Sequence, residues 1–381
     1  MLRQVSTMSK LTELLDELCP DGVEYRPVGE VAELQRGTSI TKKKVVAGDV
    51  PVVAGGRQPA YFHNEANREG ETIVVAGSGA YAGYVSWWDR PIFVSDAFSI
   101  KSADSELSNR FCYYWLNSIQ ELLHQSKSGG GVPHVYAKDV ARLKMPVPPL
   151  EVQQEIVRVL DAFTDLEQSL VSELELRKKQ FEEYLSEVLQ TSNSGRKSAT
   201  LGDIGSVRMC KRIMKHQTSP VGDVPFFKIG SFGGQPDAYI PRELFEEYRS
   251  KYSFPRVGEI LISAAGTIGR TVKYDGEAAY FQDSNIVWLE NDETEVTNDY
   301  LYYWYKVVNW TTDSGTIKRL YNKNLLAAGI SYPNKAGQEE IVAKLNTFES
   351  LIQSIEQEIN LRRTQYEFYR NELLSFTPKE D

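Results

Sequence analysis

QQEIVRVLDAFTDLEQSLVSELELRKKQFEEYLSEVL, residues 153–189, decides the fold of this 381-residue chain because it occurs twice. Residues 338–374, QEEIVAKLNTFESLIQSIEQEINLRRTQYEFYRNELL, align with it without a gap, and 17 of the 37 positions are identical. In both copies apolar residues recur at alternating steps of four and three, the a and d positions of a heptad repeat. Each segment is therefore predicted to form one long helix, which at 1.5 Å per residue spans roughly 55 Å.

The residues at these a and d positions, which we call the seam, are mostly apolar. The seam residues used below are Ile156, Leu160, Phe163, Arg177, Phe181 and Tyr184 in the first copy and Ile341, Leu345, Phe348, Arg362, Tyr366 and Tyr369 in the second. Arg177 and Arg362 occupy the same position in the two copies, so we expect them to set the register or to face a partner. An ordinary helical core position remains the alternative for any single seam residue.

The segments that precede the two helices also correspond, although more weakly. VGEV at 28–31 matches LGDI at 201–204, and the tetrapeptide GDVP occurs at 48–51 and again at 222–225. Short Val, Ile, Thr and aromatic runs broken by Gly and Pro predict irregular β-structure with local helices, hence an α+β fold. The expected domains are a globular domain with a short N-terminal helix (1–150), a helical spacer (151–192), a second globular domain (193–334) and a second helical spacer (335–381).

The simplest arrangement of this repeat is an antiparallel pair of long helices. Two helices that are separated by a globular segment pack most simply in opposite directions, as a coiled coil with one globular domain at each end. The sequence therefore predicts a pseudo-two-fold internal repeat. Local helices are expected at 107–124 and 298–309.

The charge distribution permits nucleic-acid binding without demonstrating it. The net charge is −9, but residues 151–190 alone carry 10 acidic and 4 basic residues. Residues 1–150 and 191–334 are each within one charge of neutrality, so either segment can present a local basic face. No apolar run of about 18 residues predicts a membrane span. The three cysteines, Cys19, Cys112 and Cys210, are far apart, which suits a reducing cytoplasm and predicts neither disulfides nor a zinc site.

The sequence carries no recognisable catalytic motif. It has no GxxxxGK[ST] loop for ATP, and its four histidines lack metal-ligand spacing, so we expect no metal and no cofactor on this chain. GSGAYAG at 77–83 lacks the GxGxxG spacing, and AAGTIG at 264–269 occupies the corresponding place. We interpret both as structural turns. The chain is predicted to bind rather than to catalyse.

Several loops combine cations, glycines and planar side chains, the groups that contact phosphates and base edges. In the first globular domain the candidate DNA-binding residues are Lys42, Lys43, Lys44, Arg57, Gln58, His134, Tyr136 and Lys138. In the second they are Lys211, Arg212, Lys215, Lys318, Arg319, Tyr321 and Lys323. A solvated surface loop is the alternative for each cluster. The pattern Ser-Gly…Tyr-x-Lys recurs at 128–138 and 314–323, before both long helices, and this favours a functional role there.

Four stretches of this chain resemble type I restriction–modification specificity subunits. PVPPLEVQQEIVRVLDAFTDLEQ (146–168), with ELELRKKQFEEYL (173–185), resembles the central repeat of that family, and SYPNKAGQEEIVAKLNTFESLIQ (331–353) resembles its C-terminal copy. GETIVVAGSGAYAGYVSWWDRPIFVSDAFSI (70–100) is similar to its target recognition domains. The second copy departs from the first where Pro148-Pro149-Leu150 becomes Pro333-Asn334-Lys335.

The resemblance implies a non-catalytic subunit of a complex that cleaves DNA and methylates adenine N6. Each target recognition domain would recognise one half of a bipartite, asymmetric site in double-stranded DNA, and the helices would set the spacing. The implied partners are two modification subunits, which bind S-adenosylmethionine, and two restriction subunits, which use ATP and magnesium. Two alternatives stay open at this stage: a coiled-coil scaffold or adaptor that binds protein without DNA specificity, and an enzyme whose site is not recognisable.

Overall fold

A computed structural model describes residues 2–102, 105–125, 133–190, 195–312 and 318–380, with side chains from residue 10 onward. The chain divides into two compact units. Unit 1 comprises Met1–Val171 and Gln357–Asp381, and unit 2 comprises Ser172–Glu356. Each unit therefore contains a part of both long helices.

Unit 1 contains two small sheets and a short strand pair. Its strands are β1 (Tyr25–Pro27), β2 (Ala32–Arg36), β3 (Val50–Val53), β4 (Tyr61–His63), β5 (Thr72–Ala76), β6 (Val85–Trp88), β7 (Phe93–Val94), β8 (Ala97–Ser102) and β9 (Lys144–Pro146). One sheet has the antiparallel order β2-β8-β5-β6, and the other has the order β4-β3-β7, with β3 and β7 parallel. β1 pairs with β9.

Unit 2 has the same strand order in each of its sheets. Its strands are β10 (Lys197–Thr200), β11 (Gly205–Arg208), β12 (Val224–Phe227), β13 (Tyr239–Ile240), β14 (Ile260–Ser263), β15 (Thr271–Lys273), β16 (Tyr280–Phe281), β17 (Ile286–Asn291) and β18 (Gly329–Tyr332). They form the orders β11-β17-β14-β15 and β13-β12-β16, together with the pair β10-β18. The weak sequence correspondences thus mark a full structural repeat.

Most of the helices also follow the repeat. They are α1 (Leu2–Leu18), α2 (Val28–Val31), α3 (Asn109–Ser118), α4 (Gln120–Gln125), α5 (Ala137–Val140), α6 (Leu150–Gln190), α7 (Leu201–Ile204), α8 (Arg242–Lys251), α9 (Asn298–Val307), α10 (Asn322–Leu326) and α11 (Lys335–Leu373). The helix expected at 107–124 is in fact α3 followed by α4. Ser108 caps α3 and Thr297 caps α9, each through a side-chain oxygen that accepts a hydrogen bond from the backbone.

The long helices α6 and α11 pack side by side in opposite directions within each unit. In unit 1, Phe163 of α6 stacks on Tyr369 at 5.6 Å between ring centroids, and Arg363 pairs with Glu167 at 2.7 Å. In unit 2, Lys178 pairs with Glu356 at 2.7 Å and Tyr184 contacts Phe348 at 5.7 Å. In both units a later residue of α6 meets an earlier residue of α11, so the pair is antiparallel. The predicted α+β fold with antiparallel long helices is confirmed.

A buried glutamine fastens the start of each long helix to its globular part. Gln153 and Gln338 stand at equivalent positions of the repeat and are both 0% exposed. Gln153 Oε1 accepts from Ser108 N, as Gln338 Oε1 accepts from Thr297 N, at 2.9 Å in each case. Buried amides need such partners because an unpaired buried polar group is costly. The orientation of each helix start is therefore tied to the cap of α3 or α9.

Candidate nucleic-acid interface

The turn 77–83 joins β5 to β6 in unit 1 and is closed by backbone hydrogen bonds. Gly83 N donates to Ala76 O at 2.8 Å, and Ala76 N donates to Tyr84 O at 2.9 Å. Gly79 and Gly83 adopt positive φ, which glycine tolerates better than other residues. The glycines of GSGAYAG thus shape a hairpin turn, as the interpretation of the motif as a structural turn requires.

A second segment, which precedes α5, lies against this turn. Gly79 N donates to Pro133 O, and Val135 N donates to Gly77 O, both at 3.0 Å. His134 stacks on Tyr136 with ring centroids 5.8 Å apart and an interplanar angle of 14°. Lys138 Nζ lies 5.4 Å from the centroid of the Tyr136 ring. Two segments that are about fifty residues apart in the chain therefore form one surface.

Arg57 reaches the same turn from the loop after β3. Its guanidinium lies 5.1 Å from the ring centroid of Tyr81 and 5.6 Å from that of Tyr84. Gly55 allows this approach, because a Cβ there would lie only 2.5 Å from Ser78 O. We call the group Arg57, Tyr81, His134, Tyr136 and Lys138 the unit 1 surface. Tyr81 and Tyr136 are 44% and 45% exposed, so their rings are accessible to a ligand.

The three lysines of the first candidate loop form a short 3-10 helix, Lys42–Lys44, with all three side chains exposed. The chain that leads to it passes Ser95, whose Oγ accepts from Ile40 N at 3.3 Å. Ser95 N in turn donates to Val53 O, at the end of β3. The three lysines therefore begin two residues after Ile40, which is linked through Ser95 to the end of β3. The Arg57 loop follows that same strand. Gln58 is exposed in that loop.

Unit 2 presents a basic cleft. Its volume is about 540 Å³, and three predicted residues, Arg212, Lys215 and Arg319, line it together with Lys228. We call this the unit 2 basic cleft. The backbone holds Arg319 there, because Arg319 forms an isolated antiparallel β-bridge with Ala265 of the turn 264–269. This contact corresponds to the bridge between Ser78 and His134 in unit 1, so the same turn meets the same loop in both units.

One wall of the basic cleft carries polar groups that can form hydrogen bonds with a ligand. Arg212 Nε donates to Asp283 Oδ2 at 2.8 Å. Ser284 is forced into a positive φ of 62°, a conformation that non-glycine residues rarely adopt. Asn285 also lines the cleft, and its buried Oδ1 has no hydrogen-bond partner among the described residues. Fixed amide and guanidinium groups of this kind can contact base edges.

The remaining candidates of unit 2 do not line the cleft, but each lies within four residues in sequence of Arg212 or Arg319, which do. Lys211 Nζ lies 5.1 Å from the ring centroid of Tyr252, which is 43% exposed. Burial raises the pKa of Tyr280, whose hydroxyl donates to Lys211 O at 3.0 Å. This hydrogen bond fixes the backbone from which the Lys211 side chain extends. Three further candidates are exposed on either side of the start of α10: Lys318, Tyr321 and Lys323.

The seam residues lie between the helices to different degrees. Ile156, Leu160 and Leu345 are 0% exposed and Phe163 is 8% exposed. The half-buried members are Phe181, Tyr184, Ile341, Phe348, Tyr366 and Tyr369.

The two seam arginines have matching local partners. Arg177 bonds Glu173 at 2.8 Å and Gln180 at 3.0 Å, and Arg362 bonds Glu358 at 2.7 Å and Gln365 at 2.8 Å. Both arginines are thus held by residues four before and three after them on their own helix.

Parts of the recurring Ser-Gly…Tyr-x-Lys loops, residues 128–132 and 314–317, lie outside the described residues. Sequence reasoning missed Tyr81, Lys228 and Tyr252. Tyr81 was passed over because its turn was interpreted only as structure. Lys228 follows β12 just as the Arg57 loop follows β3, so the repeat itself contained the signal that could have found it.

Both sites combine cations with planar side chains, and this combination defines what they can do. Lysine and arginine neutralise phosphates, glycine-rich turns let backbone N–H groups approach, and exposed rings or guanidinium planes stack. Neither site brings together a nucleophile, a base and an orienting acid among the described residues. In the part of the chain that the structure describes, no helix is both long enough and apolar enough to cross a membrane.

Comparison with known proteins agrees with this geometry. The family model for the type I restriction modification DNA specificity domain matches residues 20–176 and again residues 193–361. A putative type I restriction enzyme specificity subunit of Haemophilus influenzae is 42% identical, over 93% of this chain and 96% of the relative. The EcoR124I/EcoR124II specificity subunit of Escherichia coli is 26% identical, over 99% of both chains.

A solved structure has the same fold. The S subunit of a type I restriction–modification system from M. genitalium superposes with a TM-score of 0.61 at 18% identity, over 93% of this chain and 96% of that one. Since the family model covers more than half of the sequence, in two copies, the chain belongs to the type I restriction–modification DNA specificity subunits.

Proposed function

We propose that unit 1 and unit 2 each bind one half of a bipartite, asymmetric site in double-stranded DNA, through the unit 1 surface and the unit 2 basic cleft. One observation carries this proposal. The same hairpin turn meets the same pre-helix loop in both units, yet the side chains presented there differ. An identical framework with different contact groups is what two different half-sites require. A protein-binding adaptor has no need of cations at both places.

The proposal assigns the parts of the chain as follows. Residues 1–150 and 193–334 are the two target recognition domains, and residues 151–192 and 335–381 are the spacers that set the distance between half-sites. As a type I specificity subunit the chain is the non-catalytic component of its complex. We propose two modification subunits, which use S-adenosylmethionine, and two restriction subunits, which use ATP and magnesium, as its partners in the cytoplasm.

The decisive measurement is the salt dependence of DNA binding. Lys138→Ala removes one cation of the unit 1 surface, so affinity should fall to a similar extent for all DNA sequences. The slope of log affinity against log salt should become shallower by about 0.9, the value for one phosphate contact. Lys144→Ala, an exposed lysine on β9, is the matched control and should change neither quantity. A wild-type chain without salt-dependent DNA affinity would favour the adaptor.

Specificity is tested by exchanging one recognition domain. Replacing residues 24–150 with the equivalent segment of another family member should change one half-site only. Mapping methylated adenines in cells that carry the exchanged chain measures this directly. A change in both halves of the recognised sequence would contradict the assignment of one half-site to each unit.

A further inference from the structure

Unit 2 contains a second cleft, beside α9, whose chemistry differs from that of the basic cleft. Its volume is about 610 Å³, and its lining includes Val272, Asp299, Tyr302, Tyr303 and Glu349. It shares no lining residue with the basic cleft. We call it the tyrosine cleft. Two further aromatic side chains line it, Phe227 and Phe281, whose rings stack with centroids 5.9 Å apart.

The internal repeat identifies the equivalent place in unit 1. The sequence NRFCYYW of α3 aligns with NDYLYYW of α9. Tyr113 and Tyr114 therefore match Tyr302 and Tyr303, and Arg110 stands where unit 2 has Asp299. The strands place Lys273 at the position of Trp87, because Trp87 pairs with Ile73 of β5 and Lys273 pairs with Ile260, the equivalent residue of β14. The backbone bonds after each strand give this register, since Ala76 N donates to Tyr84 O as Ser263 N donates to Arg270 O.

In unit 1 this place is filled by the chain's own arginine. The Arg110 guanidinium lies 4.8 Å from the Trp87 ring centroid, 5.2 Å from that of Tyr113 and 5.0 Å from that of Tyr114. It also pairs with Asp161 of α6 at 2.7 Å. Aromatic faces and a carboxylate together form a strong site for a planar cation, because the rings attract the positive charge and the carboxylate accepts hydrogen bonds.

In unit 2 the tyrosines remain, but the two groups that fill the space are gone. Lys273 replaces the indole of Trp87, and Asp299 replaces the guanidinium of Arg110. The long helix also keeps a carboxylate, because Glu349 lies one turn after the position that Asp161 occupies in unit 1. Tyr303 donates to Asn346, which stands at the position of Asp161, at 2.6 Å, and to Glu349 at 2.9 Å. The result is an open site that keeps two of the three rings found around Arg110, as Tyr302 and Tyr303, and that has the carboxylate of Glu349 on the long helix.

Two lysines of unit 2 approach the cleft. Lys306 pairs with Glu349 at 2.5 Å and lies 4.1 Å from the Tyr302 ring centroid, so this cation already occupies one face. Lys273 pairs with Asp299, and both side chains are 49% exposed. Exposed ion pairs contribute little because water and salt screen them. An incoming cation that also stacks on the rings can therefore displace Lys273 from Asp299.

We propose that the tyrosine cleft takes an arginine side chain from a protein partner, in the place that Arg110 fills in unit 1. Resting on the proposed function, we assign that arginine to a modification subunit. A planar guanidinium can bond Asp299 in a bidentate fashion and stack on the aromatic lining at once, whereas a lysine ammonium can do only part of this. The two units then offer unequal contacts: unit 1 supplies its own arginine and unit 2 receives one.

The test measures the affinity of the purified modification subunit for the full chain in the absence of DNA. Asp299→Asn keeps the shape and removes the charge, and it should weaken binding about tenfold. The double variant Lys273→Trp/Asp299→Arg rebuilds the arrangement of unit 1 and should weaken binding more, because the space is then filled. Lys273→Ala is the matched control, since it removes a charge from the same cleft but frees Asp299. It should bind as tightly as wild type or more tightly.

The outcomes separate the possible failures. If Asp299→Asn binds the modification subunit as tightly as the wild type, the proposal is overturned, because the occupant then carries no charge that Asp299 recognises. This holds whether or not the double variant binds more weakly. Competition by millimolar spermidine equal to that by arginine ethyl ester would also overturn it, in favour of a polyamine site. DNA affinity of Asp299→Asn should equal that of the wild type. A wild-type chain that binds no modification subunit would remove the proposed function itself, and this inference with it.

Discussion

Replacing Gln153 with leucine tests how firmly the globular part of unit 1 holds its long helix. Gln153 is 0% exposed, and its amide makes three hydrogen bonds: Oε1 accepts from Ser108 N, and Nε2 donates to Glu106 O and Pro148 O, both at 2.7 Å. Leucine has a similar volume, so packing is largely kept while all three bonds are lost. At about 1 kcal/mol for each bond, the loss is about 3 kcal/mol, and more where a partner stays dry.

Hydrogen exchange followed by mass spectrometry measures the lost stability peptide by peptide. A local measurement is needed because the chain contains two units that can unfold separately. In Gln153→Leu the opening free energy should fall by about 3 kcal/mol in peptides 106–118 and 148–160, while peptides 295–304 stay unchanged. Gln338→Leu should give the converse result. Gln154→Leu changes the exposed neighbour and serves as the control. A loss below about 1 kcal/mol in Gln153→Leu would refute the anchoring role.

Two further predictions concern the unit 1 surface and the pH dependence of unit 1. In Gly55→Ala the new Cβ would lie 2.5 Å from Ser78 O, so the Arg57 loop should move away from the turn. Binding to DNA with the correct half-site should then weaken about tenfold. Gly56→Ala is the control, because its Cβ would meet nothing closer than 3.5 Å, and it should bind normally in the same assay. Hydrogen bonds from Arg158 and Lys10 hold the pKa of the buried Glu155 below its usual value. The ionised Glu155 therefore stabilises the folded chain at pH 7, and this stabilisation is lost as the pH falls through the lowered pKa. Glu155→Gln should therefore lower the unfolding free energy at pH 7 by about 1–2 kcal/mol and approach the wild type at pH values below that lowered pKa, measured by urea titration. The equivalent but exposed Glu340→Gln should change little, and an equal loss in both would contradict the explanation.

The helices were the most predictable part of the fold. Heptad spacing over 37 residues predicts helices at 153–189 and 338–374, and the structure has Leu150–Gln190 and Lys335–Leu373. Such agreement has a physical basis, since an a/d pattern of this length can bury its apolar residues only as a helix against another helix. The globular segments were less predictable, because strands of two to six residues are defined by partners that lie far away in the sequence.

The candidate sites show the same limit. Composition identified Arg57, Arg212 and Arg319, since cations among glycines are a local signal. It could not find Tyr81, which becomes part of the surface only when the chain returns at His134 to pair with the turn. Contacts between residues more than fifty positions apart depend on the fold and not on local sequence. The sequence therefore supplies candidate residues for a DNA site, but the fold decides which of them lie together.

The repeat supplies a comparison that a chain without one lacks, because each unit serves as a reference for the other. Features present in both units, such as the buried glutamines Gln153 and Gln338 at the helix starts, belong to the fold that the two units share. Features that differ at equivalent places cannot be required by that framework, since the other unit folds without them. Arg110 against Asp299 is such a difference, and it coincides with an open cleft. A charge reversal at a position where both frameworks are stable therefore points to a binding partner rather than to folding.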